Sequence, residues 1–181
     1  ISYNHYWKKD ETLNLISEFK EFFRDKINET AGIINRSKKP VVIVGNMVRK
    51  FELKAFVQII AEKIATVIAS SQLGIGIFSD NHPSYAGVYA GAMSSNSNIR
   101  RFVEESDCVL AVGVSERETN SGLFTAKIDP ENLISLNPET IHVKNWKLET
   151  TSFWDKKGFK YDSDGATCIE FIGFLQGLAE A

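Results

Sequence analysis

Two short apolar runs constrain this chain more than any other feature. One is Val41-Val42-Ile43-Val44, stopped by Gly45; the other is Cys108-Val109-Leu110-Ala111-Val112, stopped by Gly113. Neither alternates polar with apolar residues, and the first is wholly β-branched. A strand with one wet face alternates. An unbroken run suits a strand buried on both faces, as in a parallel sheet covered by helices.

The segments between the runs supply those helices. Residues 10–35 carry Leu13, Ile16, Phe19, Phe23, Ile27, Ala31 and Ile34 at intervals of three and four, with Asp10 as N-cap. Gly32 weakens the last turn by about 1 kcal/mol relative to Ala, and Pro40 ends the helical region. A second amphipathic helix is expected over 50–65, with Leu53, Phe56, Ile60 and Ile64 on one face, and a short buried strand over 66–69. Gly74-Ile75-Gly76 and residues 79–85 read as an irregular loop containing His82 and Pro83. A polar cap at 94–98 precedes a short helix carrying Ile99, Phe102 and Val103. Residues 133–136 and 140–143 look like two more strands. The last helix is expected from Thr167, which has capping-box spacing to Glu170. Residues 145–165 break the rhythm. Polar and aromatic, with Trp146, Phe153, Trp154, Phe159 and Tyr161, they read as an ordered loop or an interface segment. Strands alternating with helices predict an α/β fold with a doubly wound, mostly parallel sheet.

Ligands of such sheets bind at the carboxyl ends of the strands, where Gly45 and Gly113 fall. Gly45, Asn46, Gly113, Ser115, Asn120 and Ser121 are therefore the candidate ligand loop. Yet Gly45 is followed by Asn46-Met47-Val48, so the GxGxxG fingerprint is absent, as is GxxxxGK[ST]. Glycines that simply let strands turn explain the pattern as well. Glu116, Arg117 and Glu118 follow the second run directly and read equally as site or as ordinary loop.

Other chemistries find little support. His5, His82 and His142 are scattered without metal-ligand spacing. Cys108 lies inside an apolar strand, where a thiol behaves as a small hydrophobe. Ser94 and Ser115 lack a GxSxG elbow. The formal net charge of −2 and pI near 6.0 give no reason to expect nucleic acid or anionic membrane as partner. No apolar run reaches about 18 residues. Cys108 and Cys168 form no CxxC pair or disulfide framework, which suits the cytoplasm. The chain begins at Ile1 without an initiator Met and reads as an excised or processed piece.

The order of motifs is more specific than any one of them. Lys39-Pro40-Val41-Val42-Ile43-Val44-Gly45 is followed by Gly74-Ile75-Gly76 and by His82-Pro83-Ser84-Tyr85-Ala86-Gly87-Val88-Tyr89-Ala90-Gly91. Then come Val103-Glu104-Glu105-Ser106-Asp107, the strand to Gly113, and Asn120-Ser121-Gly122-Leu123-Phe124-Thr125. This series resembles the central domain of the pyruvate and indolepyruvate decarboxylases, which depend on thiamine diphosphate. The match is strongest over 39–143. It makes residues 1–38 a linker and leading helix, and 39–181 the domain. Thr119 stands where the family has an aromatic, and Ser121 where it has threonine.

The resemblance implies a six-stranded, mostly parallel sheet and a parent enzyme using thiamine diphosphate and magnesium, held by flanking domains of the same chain in a homo-oligomer. The family's diphosphate motif is missing; Asp164-Gly165 is only a fragment of it. No residue here is therefore expected to be catalytic or to bind metal, and no cofactor is expected on the chain alone. The expected function is architectural: a non-catalytic domain that positions its neighbours. The alternatives are an autonomous FAD-, ADP- or NAD-binding module and a pure interaction module using the aromatic segment.

Overall fold

The computed structural model describes residues 9–115, 122–138, 140–144, 146–149 and 166–181. Its centre is the pair of apolar runs. β1 (Pro40–Val44) and β4 (Cys108–Val112) lie side by side in parallel, Val41 opposite Val109 and Val44 opposite Val112. From β1 the chain moves outward to β2 (Ile68–Ser70) and β3 (Tyr85–Val88). It then returns across β1 to β4 and proceeds to β5 (Leu133–Leu136), β6 (Thr140–Val143) and β7 (Trp146–Glu149). The strand order is β3-β2-β1-β4-β5-β6-β7. The first five strands are parallel, while β6 and β7 run antiparallel to their neighbours. The doubly wound, mostly parallel α/β fold is thus as expected. The described sheet has seven strands rather than six, because Trp146–Glu149 folds back on β6 as an edge strand.

The unbroken runs are explained by burial on both faces. Val42, Val44, Leu110 and Val112 join one core with Phe19, Ile27, Ile60, Phe171 and Phe174. Val41, Ile43 and Val109 point the other way, into a smaller core with Tyr89, Ile99 and Val103. Helices α1 (Lys9–Phe22), α2 (Arg24–Arg36), α4 (Lys54–Lys63) and α6 (Ala166–Glu180) serve the first core; α5 (Ser97–Glu104) serves the second. A short helix, α3 (Asn46–Lys50), follows β1 directly.

Two helix boundaries differ from the sequence reading. The helix expected over 10–35 is broken at Phe23, whose φ of −104° and ψ of 16° leave the helical range. The break lets both halves lie along α6. A Cβ on Gly173 would stand 2.8 Å from the Phe19 ring, and one on Gly177 2.7 Å from the Ile27 side chain. Glycine inside a helix is unfavourable by about 1 kcal/mol relative to Ala, but here it makes the room that Phe19 and Ile27 occupy. The helix expected over 50–65 starts only at Lys54, since α3 ends at Lys50 and Glu52 is left-handed at φ +56°. α6 begins at Ala166, so Thr167 is already inside it, and Glu170 is fully buried rather than capping in solvent.

The edge at β3 is protected by its own loop. Val88 N–H donates to Ser95 Oγ (3.1 Å) and Ser95 N–H to Val88 O (2.9 Å), which covers backbone groups that a bare edge would expose. At the amino ends of β1 and β4 a single carboxylate ties the two strands. Asp107 accepts from the backbone N–H of Lys38 and Lys39, each at 2.8 Å, and from the Ser37 hydroxyl. The Ser37 hydroxyl foremost, with those N–H groups and against partial desolvation, holds the Asp107 carboxyl at about 2, below its ordinary 3.8.

A carboxyl depressed in the folded state stabilises the fold above its unfolded value and loses that contribution as pH falls through its folded value. Asp107→Asn should therefore be less stable than the parent at neutral pH by about 1 kcal/mol, the worth of a charged hydrogen-bond acceptor reduced by solvent screening at this largely solvated carboxyl. The gap should narrow between pH of about 4 and 2. Urea unfolding of both proteins across that range measures it; a gap independent of pH would refute the tie.

Candidate functional site

In a doubly wound sheet the crevice opens where the chain reverses direction, which here is between the carboxyl ends of β1 and β4. Four of the six sequence candidates meet at or beside that point: Gly45 and Asn46 after β1, and Gly113 and Ser115 after β4. Asn120 and Ser121 lie outside the described residues, as do Glu116, Arg117 and Glu118.

The two turns touch through their backbones. A Cβ on Gly45 would overlap the carbonyl oxygen of Gly113. Gly113, left-handed at φ +63°, would put a Cβ 2.7 Å from that of Met47. Gly45 N–H donates to Val112 O (2.9 Å), Met47 N–H to Gly113 O (3.3 Å), Val48 N–H to Gly45 O (3.1 Å) and Gly113 N–H to Leu136 O (2.7 Å). On the other side of β1, Ser71 N–H donates to Val44 O (2.8 Å), and a Cβ on Gly74 would overlap that same carbonyl. A phosphate at a glycine turn is held by N–H groups that point at it. Those of Gly45, Met47, Val48 and Gly113 are already engaged within the protein.

Two polar atoms stay unmatched beside this junction. Asn46 Oδ1 and Ser71 Oγ are buried with no hydrogen-bond partner among the described residues. They follow β1 and β2, adjacent in the sheet, and sequence reasoning did not single out Ser71. Nothing in its neighbourhood, Ser70-Ser71-Gln72, marks it as different from a turn serine.

The remaining candidates have structural roles. Cys108 is a free, buried thiol pushed up to about 11 by burial first, then by Asp107, against the opposing pull of Lys144. That keeps it protonated and unreactive near neutrality. His82 closes the turn before β3: its Nδ1 accepts from Ser84 N–H (3.2 Å) and its ring meets Phe78 edge-on, centroids 5.2 Å apart. His142 sits in β6 opposite Ser135 and Lys147; His5 is outside the described residues. Ser94 donates to Gly91 O at 2.7 Å and accepts from Ala90 N–H at 3.0 Å, a turn bond. Tyr89 faces Glu104 at 3.5 Å, and its phenol is driven far above the ordinary range by burial and then by Glu104. It is no candidate base.

Among the described residues no three His, Cys, Asp or Glu side chains converge to hold a metal ion. No step of chemistry is assigned to these side chains.

Residues 27–151 match the family model of the thiamine pyrophosphate enzyme, central domain. The chain belongs to that family. Pyruvate decarboxylase isozyme 3 of Saccharomyces cerevisiae is 26% identical over 138 residues, which are 76% of this chain and 24% of that protein. A probable pyruvate decarboxylase of Schizosaccharomyces pombe is 23% identical over 154 residues, 83% of this chain and 27% of that protein. The pyruvate decarboxylase of Hanseniaspora uvarum is 26% identical over 113 residues, 62% of this chain and 20% of that protein. The chain thus spans about a quarter of the length of these relatives.

If Gly45 is a packing residue, Gly45→Ala must force the two turns apart and should destabilise the fold by more than about 2 kcal/mol. Denaturant unfolding decides it. A stable Gly45→Ala protein would contradict the packing role and return Gly45 to the ligand loop.

Proposed function

We propose that these residues form the non-catalytic central domain of a thiamine-diphosphate-dependent 2-oxo-acid decarboxylase. In this reading the domain positions the flanking domains of the same polypeptide, which bind thiamine diphosphate and magnesium. The observation that carries it is the central-domain family match over 27–151, in a chain that spans about a quarter of its relatives' length, joined to two switch-point turns that pack backbone on backbone at Gly45 and Gly113. A domain of this class with no room between its switch-point turns suits a scaffold better than a cofactor holder. The parent is then a cytoplasmic homo-oligomer, in keeping with the unpaired thiol of Cys108. No described helix is long and apolar enough to cross a membrane.

A second reading has one observation in its favour. Asn46 Oδ1 and Ser71 Oγ are buried without partners among the described residues at the strand ends, where an FAD, ADP or NAD group would lie if the domain held one. A buried acceptor left unmatched is unfavourable by about 1–3 kcal/mol, and a ligand donor would relieve it.

The test compares the 181 residues alone with the intact polypeptide that contains them. Carbon dioxide release from pyruvate and related 2-oxo acids should require the intact chain, thiamine diphosphate and magnesium, with no turnover by the 181 residues. Turnover by these residues alone, or an intact chain indifferent to thiamine diphosphate, would overturn the proposal.

A further inference from the structure

We draw no further inference here: the strongest candidate, the pair of buried polar atoms Asn46 Oδ1 and Ser71 Oγ at the carboxyl ends of β1 and β2, belongs to the site already described.

Discussion

The contact on which the rest of this fold depends is between two pieces of backbone, at Gly45 and Gly113. Each glycine stands where a side chain would collide with the other turn. Because they touch, β1 and β4 run in register along their whole length, from Pro40 opposite Cys108 to Val44 opposite Val112. Because Met47 N–H reaches Gly113 O, α3 starts at once after β1 and brings Val48 and Phe51 into the larger core. The Asp107 carboxylate secures the opposite ends of the same two strands. The central pair is thus fixed at both ends, and the other strands add outward from it.

The same contact bears on function. A nucleotide-binding sheet keeps its switch point open and its N–H groups turned toward the ligand. Here the N–H groups of Gly45, Met47 and Gly113 face protein carbonyls. Turns that pack on each other in this way suit a domain that works by holding neighbours, which is the reading proposed above.

The sequence announced those parts of the fold whose burial is symmetrical. β1 and β4 are legible because both faces are covered, so the runs Val41–Val44 and Cys108–Val112 are apolar throughout. β3 is not, because Tyr85-Ala86-Gly87-Val88 is half-buried along its length and contains a left-handed glycine at φ +118°. β7 hides in an aromatic stretch for a similar reason: Trp146-Lys147-Leu148-Glu149 is an edge strand, and four residues are too few to establish a period. The break at Phe23 leaves no trace in spacing, since Phe19, Phe23 and Ile27 stay in helical phase and hydrogen-bonded across it. At the candidate site, the glycines were visible as glycines, but not whether they made room for a ligand or for each other. Asp107 bonds Ser37, Lys38 and Lys39, 68 to 70 residues away, and Ser71 is set apart only by burial, so no local motif marks either.

The most direct measurement is thermal unfolding of the 181 residues with FAD, ADP and NAD in turn. Switch-point turns that pack on each other, with no site held open between them, predict no change in the midpoint with any of them. A ligand present at about 100 times its dissociation constant would add about 2.7 kcal/mol, a rise of roughly 5–10 °C for a domain of this size. A shift of that size with any one of the three would contradict the scaffold reading and favour a cofactor-holding domain.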